Sequence, residues 1–119
     1  MTDVPICNKA AYLSFCDDVG VEDAAEVLVA FLDDTGLKVN ALASIDDRQV
    51  IKREAHSIKS SSATFGFARL SGLGGELEFG AETMSSDELQ AMVTAMQQLF
   101  DVTESLARNE LLGAGLAVA

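Results

Sequence analysis

Apolar residues recur at helical intervals along nearly the whole chain, and no stretch alternates apolar and polar residues as a half-buried strand does. The only proline, Pro5, precedes the first periodic segment, where it can help to start a helix rather than break one. A length of 119 residues with 49% hydrophobic content is enough for one domain with a single core. The sequence therefore predicts an all-α fold in one domain over residues 1–119.

Periodicity and helix-end signals divide this domain into five predicted helices. They cover residues 6–18, residues 21–43, a segment from an Asp46 or Asp47 cap to Thr64, residues 67–84, and a segment that follows Ser85 and ends near Leu106. Gly36, in the middle of the second helix, can bend or weaken that helix. Four long helices with short connections favour an antiparallel four-helix bundle, to which the first segment adds a short N-terminal helix.

Spacing within the first and fifth helices also predicts the positions of side chains. Ser85 lies three residues before Glu88, which is the spacing of a capping box at a helix N-terminus. Cys7 and Cys16 would be about 13 Å apart along a common helix, so we expect two free thiols rather than a disulfide. On the first helix, the face predicted to point inward consists of Ile6, Ala10, Leu13 and Cys16.

The charge of the chain disfavours several classes of partner. Nineteen acidic and eight basic residues give a net charge of -11, which repels nucleic-acid phosphates and anionic lipid headgroups. The sequence begins without a signal-peptide pattern, and its most apolar stretch, LLGAGLAVA, is about half as long as a membrane-spanning helix. We therefore expect a cytoplasmic monomer that binds neither nucleic acid nor membranes.

The only histidine, His56, is predicted to face solvent from the third helix. The inward face, roughly opposite His56, consists of Ile51, Ile58, Ser62 and Phe65. The residues that share the side of His56 are Lys52, Lys59, Ser60 and Ala63. Four of the eight basic residues fall between positions 48 and 59, which predicts a local anion site in an acidic protein: Arg48, Lys52, Arg53 and Lys59.

The segment HSIKSSSATFGFARLSGLGGELE, residues 56–78, resembles the motif of the histidine-containing phosphotransfer (HPt) family of phosphorelays. The positions that match in order and spacing are His56, Lys59, Ser61, Ser62, Gly66, Leu70, Leu77 and Glu78. Three positions depart from the family pattern. Ser60 replaces a common glycine, Gly74 stands where cysteine or another small residue is frequent, and Glu82 stands where some members have lysine or arginine.

This resemblance implies that His56 is phosphorylated at Nε2, in a relay between aspartates of response-regulator receiver domains. It also implies that Glu78 accepts a hydrogen bond from Nδ1 and that Lys59 places its ammonium beside the phosphoryl oxygens. The other implied partner is a hybrid sensor histidine kinase. No cofactor is expected on this chain, and Mg²⁺ is expected only on the receiver. The residues expected to contact partners are Lys52, Arg53, Ser60, Ala63 and Gly66.

Other classes of function fit the residues less well. A di-iron bundle requires two Glu-x-x-His motifs, whereas this chain has one histidine with Arg53 three residues before it. A hydrolase built from Ser60, His56 and Glu78 would lack an oxyanion-hole loop. Because the sequence has no nucleotide-binding motif, we expect no kinase activity. Two alternatives stay open: a helical adaptor that binds receiver domains without being phosphorylated, and a phosphoacceptor module excised from a larger kinase.

Overall fold

The computed structural model describes residues 5–112, which form five α-helices and contain no strand. The helices are α1 (Lys9–Val19), α2 (Val21–Ala41), α3 (Arg48–Thr64), α4 (Ala68–Gly80) and α5 (Ser86–Leu106). A short 3₁₀ turn, Leu42–Ser44, extends α2, and a π-helical segment, Ala107–Leu112, extends α5. The prediction of an all-α fold with five helices is confirmed for this part of the chain.

The first helix begins later than its sequence predicts. Asn8 Oδ1 accepts a hydrogen bond from the amide of Ala11, 3.2 Å away, and α1 therefore begins at Lys9 rather than at residue 6. Cys7 precedes the helix, so Cys7 and Cys16 do not share one helix, although both thiols are free as predicted.

The predicted inward face of α1 is confirmed for Cys16 and wrong for Ala10 and Leu13. Ala10 is exposed and Leu13 has 43% of its surface exposed, whereas the buried side chains are Tyr12 and Cys16. Tyr12 and Cys16 lie four residues apart and share one face of the helix. The ring of Tyr12 removes more apolar area from water than the side chain of Leu13 would, which favours burial of this face.

Caps at the start of α3 and α5 agree with the sequence. Asp47 accepts a hydrogen bond from the amide of Gln49 at 2.9 Å and caps α3. Ser85 Oγ accepts from the amide of Glu88 at 3.1 Å, and Glu88 Oε1 accepts from the amide of Ser85 at 2.9 Å. The predicted capping box is therefore confirmed, and its hydrogen bonds to Ser85 lower the pKa of Glu88.

Gly36 does not interrupt α2, which is continuous from Val21 to Ala41. A Cβ at Gly36 would lie only 3.2 Å from Cε2 of Phe100. The glycine therefore makes room for this α5 ring against α2, and the packing offsets the low helix propensity of glycine.

An aromatic cluster holds the end of α3 in the core. Its neighbouring ring centroids lie 5.0 to 6.0 Å apart, within the range of favourable aromatic packing. The cluster joins α1, α2 and the turn between α3 and α4, and so fixes where α3 ends and α4 begins. Its members are Phe15, Phe31, Phe65 and Phe67.

The fourth helix ends at Gly80, one turn before the predicted Met84. The guanidinium of Arg48, at the start of α3, donates hydrogen bonds to the carbonyl oxygens of Ala81 and Met84. A Cβ at Gly80 would lie 2.5 Å from Cε of Met84, whose side chain folds back over the end of the helix. Arg48 thus binds the turn that follows α4 and ties it to α3.

The helices α3 and α4 make the most extensive contact between any two helices described. The two helices run in opposite directions. Arg48, at the start of α3, contacts Ala81 just after the end of α4, and Lys59, toward the end of α3, contacts Ser71 near the start of α4. Gly74 lies at the closest approach. A Cβ there would be 3.1 Å from the backbone nitrogen of Lys59 and 3.2 Å from the carbonyl oxygen of Ala55.

The close approach at Gly74 can be tested with alanine. Gly74→Ala is expected to lower the free energy of unfolding by about 1–3 kcal/mol, because the new methyl group meets rigid backbone of α3 and forces the two helices apart. Gly72→Ala is the matched control in the same helix. Its Cβ would meet nothing within 4 Å, so helix propensity should raise the free energy of unfolding by up to about 1 kcal/mol.

Urea unfolding followed by circular dichroism measures both values. Two variants that change stability in the same direction by the same amount would contradict the close approach.

Candidate functional site

The imidazole of His56 projects from the middle of α3 into solvent, as predicted. Its side chain is 60% exposed. The opposite face of α3 is buried and holds the helix in the core, through Ile51, Ala55, Ile58 and Ser62. Burial of that face leaves the ring of His56 accessible to a second molecule.

Glu78, on α4, fixes the orientation of this ring. The Nδ1 atom of His56 and Oε2 of Glu78 are 2.8 Å apart, a short hydrogen bond. Partial burial acts to raise the pKa of Glu78, but the hydrogen bond and charge of His56 together with the ammonium of Lys59 outweigh it and lower that pKa. Glu78 is therefore ionised at neutral pH and only accepts hydrogen bonds, so Nδ1 carries the proton and Nε2 of a neutral ring keeps its lone pair.

The same carboxylate also holds Lys59. The Nζ atom of Lys59 lies 3.5 Å from Oε1 of Glu78, so each carboxylate oxygen faces one basic group. The stem of Lys59 lies over Gly75, where a Cβ would make ordinary van der Waals contact with Cδ of Lys59 at 3.5 Å. Ser71 Oγ donates a hydrogen bond to the carbonyl oxygen of Lys59 at 2.9 Å. The predicted trio of His56, Lys59 and Glu78 is thus brought together.

A second ion pair joins α3 to the turn that follows α4, one helical turn away from His56. The Nζ atom of Lys52 lies 3.0 Å from Oε1 of Glu82. This pair and His56 share one open pocket of about 380 Å³. The pocket is lined by Gln49, Lys52, Arg53, His56, Glu78 and Glu82. The predicted positions Lys52 and Arg53 therefore lie beside the histidine.

The anion site predicted from four basic residues is less positive than their number indicates. Arg48 is bound to carbonyl oxygens after α4, Lys52 to Glu82, and Lys59 to Glu78. Within residues 5–112, neither Arg48 nor Arg53 forms an ion pair with a carboxylate. Carboxylates therefore match two of the four basic side chains, those of Lys52 and Lys59.

Three further predicted partner positions divide into two places. Ser60 and Ala63 are exposed on the side of α3 that carries His56. Gly66 follows His56 by ten residues, about 15 Å along the direction of α3, and lies in the turn before α4. Its φ of 79° and a built Cβ only 2.5 Å from Cβ of Ala11 show that Gly66 is required for packing on α1.

An open groove lies between α2 and α3, next to the exposed small residues. Its lining includes Val27, Ala30, Phe31, Ser61, Thr64 and Phe65. Val27 is 46% exposed, so apolar surface on α2 is available beside the histidine helix.

Sequence reasoning missed the pairing of Lys52 with Glu82. Lys52 lies four residues before His56, and Glu82 lies four residues after Glu78. On antiparallel helices joined by His56 and Glu78, these equal offsets bring Lys52 opposite Glu82, which lies in the turn just after the end of α4. The signal was present in the spacing, but it requires the register of the two helices.

Comparison with known proteins identifies the family. A family model described as the Hpt domain matches residues 22–102, a span that begins in α2 and contains His56, Lys59 and Glu78. Because the match covers more than half of the chain, this protein belongs to the Hpt domain family, and membership indicates a phosphotransfer module of a phosphorelay. No match was found among curated proteins or among solved structures.

Two structural features bear on other kinds of site. None of the helices within residues 5–112 combines the length and the apolar character needed to cross a membrane. Over the same range, no group of three or more His, Cys, Asp or Glu side chains is arranged to hold a metal ion.

The tautomer of His56 provides a test of the Glu78 contact. A free neutral imidazole favours the proton on Nε2, whereas the bond to Glu78 should keep it on Nδ1. We expect Glu78→Ala to shift the ¹⁵N chemical shifts of the ring toward the Nε2–H pattern. Glu76→Ala, on an exposed position of the same helix, should leave the pattern unchanged. An unchanged pattern in the Glu78 variant would show that Glu78 does not set the tautomer.

Proposed function

We propose that this Hpt domain carries a phosphoryl group on Nε2 of His56, accepting it from the aspartyl phosphate of one receiver domain and passing it to the aspartate of another. The observation that supports this most is the 2.8 Å bond from Nδ1 to Glu78 on a ring that is 60% exposed. A phosphoacceptor imidazole needs one nitrogen with a free lone pair and the other held in a defined tautomer.

In the proposed transfer, the lone pair of Nε2 attacks phosphorus in line with the bond to the aspartate oxygen. The N–P bond forms as the P–O bond breaks, and the aspartate carboxylate leaves with the electron pair. The ring becomes positively charged, and the Glu78 carboxylate on Nδ1 stabilises that charge. Lys59, 3.5 Å from the same carboxylate, is close enough to turn its ammonium toward the phosphoryl oxygens. Mg²⁺ would be held by the receiver.

Partners are proposed to dock over the face of α3 that carries His56. Ser60 and Ala63 are exposed and small, so a receiver can bring its aspartate close to Nε2. The groove between α2 and α3 supplies an apolar centre, as transient signalling interfaces often have. Arg53, which has no carboxylate partner among the described residues, is placed to steer an acidic receiver pocket.

The remaining features of the proposal concern the whole chain. Within one domain, α2, α3, α4 and α5 would form an antiparallel four-helix bundle with α1 added to it, and contacts of α2 with α5, α3 with α4, and α4 with α5 support this. We propose a cytoplasmic monomer that has no kinase activity of its own. Its proposed partners are a hybrid sensor histidine kinase and response-regulator receivers.

Replacement of His56 tests the acceptor. His56→Gln is expected to abolish labelling from a phosphorylated receiver, because no other residue of the variant offers an imidazole. The exposed ring contributes little to the core. The free energy of unfolding, measured by thermal denaturation, should therefore stay within about 0.5 kcal/mol of that of the parent protein. Acid-labile, alkali-stable label on the parent protein would identify phosphohistidine. Label that persists on the glutamine variant would rule out His56 as the acceptor, and binding without any label on the parent protein would favour the adaptor alternative.

Bulk beside His56 tests the docking face. Ser60→Arg and Ala63→Trp should each reduce the rate of transfer by at least about tenfold, since a displacement of the reacting atoms by about 1 Å is already severe. Ser105→Arg and Ala91→Trp place the same side chains at exposed positions of α5 and should have no effect. Stopped-flow or rapid-quench transfer assays give the rates, and circular dichroism confirms helical content. Undiminished transfer in both α3 variants would place the docking face elsewhere.

A further inference from the structure

The Lys52–Glu82 ion pair lies one helical turn from His56–Glu78 and in the same pocket. Lys52 and His56 are four residues apart on α3, which places their Cβ atoms about 5–6 Å apart on one face. Glu78, in the last turn of α4, and Glu82, in the turn that follows the helix, are also four residues apart. The two contacts therefore lie next to each other between α3 and the end of α4, the first with a 2.8 Å bond and the second with a 3.0 Å bond.

The Lys52–Glu82 ion pair is easily broken. The side chains of Lys52 and Glu82 are 47% and 45% exposed, and ion pairs with this much exposure contribute little stability. Lysine also carries a compact charge on a flexible stem, so its ammonium can move by several ångströms without displacing the helix. A new anion in the pocket can therefore compete with Glu82 for Lys52.

A phosphoryl group on His56 would be such an anion. It would carry a charge of about -1.5 to -2 and three acceptor oxygens, more than the single charge of Glu82. The cationic groups that border its position are Lys52, Arg53 and Lys59 from α3, and the anionic groups are Glu78 from α4 and Glu82 from the turn that follows it. Glu78 is already engaged by the imidazole, whereas Glu82 has Lys52 as its ion-pair partner.

We propose that Lys52 is a second phosphoryl-binding group of this domain and that Glu82 is a positioning residue that holds Lys52 before phosphorylation and competes for it afterwards. Phosphorylation exchanges the Lys52–Glu82 ion pair for contact between Lys52 and the phosphoryl oxygens. Glu82 thereby limits how strongly the domain retains its phosphoryl group. This inference rests on the proposed phosphorylation of His56.

The ³¹P titration of the phosphorylated domain measures this exchange directly. The purified chain is phosphorylated with phosphoramidate, a small donor that needs no partner protein, and the ³¹P chemical shift is followed against pH. A nearby ammonium favours the dianionic phosphoryl group and lowers its pKa. We expect Lys52→Gln to raise that pKa by about 0.2–0.7 units, a range set by the strength of exposed ion pairs.

Glu82→Gln should lower the phosphoryl pKa by a similar amount, because Lys52 is then released and one negative charge is removed. Part of this shift should disappear when Lys52→Gln is added to the Glu82 variant, since the released ammonium is then absent. Glu82→Asp, which keeps the charge, should stay closer to the parent protein. Asp33→Asn removes a carboxylate from an ion pair with Arg108 outside the pocket and is the matched control.

The outcomes separate the two proposals. A parent protein that takes no phosphoryl group on His56 overturns the proposed function, and this inference with it. If His56 is phosphorylated but the pKa of its phosphoryl group is the same in the parent protein, Lys52→Gln and Glu82→Gln, the inference alone is overturned. Equal shifts with Asp33→Asn and Glu82→Gln would also overturn it, because they would reflect only the net charge of the chain.

Discussion

The approach of α4 to the backbone of α3 at Gly74 is the contact on which the site depends. With only 3.1 Å between a built Cβ and the nitrogen of Lys59, a side chain at this position would require the two backbones to shift by a few tenths of an ångström. This approach sets the register of the two helices and brings Glu78 to the imidazole of His56 at 2.8 Å. Arg48 fixes the other end of the pair through the carbonyl oxygens after α4. The orientation of one exposed ring thus follows from backbone packing.

The helices could be predicted from the sequence, because their signals are local. The caps at Asp47 and Ser85 lie at the predicted places, and His56 faces solvent opposite a buried stripe. The face of α1 could not be predicted in the same way. Its periodicity allowed two faces, and the choice of Tyr12 over Leu13 depends on the cavity that the other helices leave.

The candidate site was predictable only in part. The trio of His56, Lys59 and Glu78 followed from the resemblance to a family, and the structure brings these side chains together. Lys52 and Glu82 are 30 residues apart in sequence, and their pairing requires the register of α3 against α4, which local patterns do not contain. The number of basic residues therefore overestimated the positive charge, since the matching carboxylates come from α4 and the turn that follows it.

Charge balance around His56 has a consequence for a carrier of phosphoryl groups. The pocket and Lys59 contribute three cationic and two anionic side chains, Lys52, Arg53 and Lys59 against Glu78 and Glu82, a sum of about +1 with a neutral imidazole. A phosphoryl group on the proposed acceptor, together with the positive charge that the ring then carries, would bring that sum to between about 0 and +0.5. Neither state concentrates a large charge of one sign. A strongly cationic site would instead hold the phosphoryl group too tightly to release it to a partner. Carboxylates beside a phosphorylated histidine therefore favour transfer of the group over its retention.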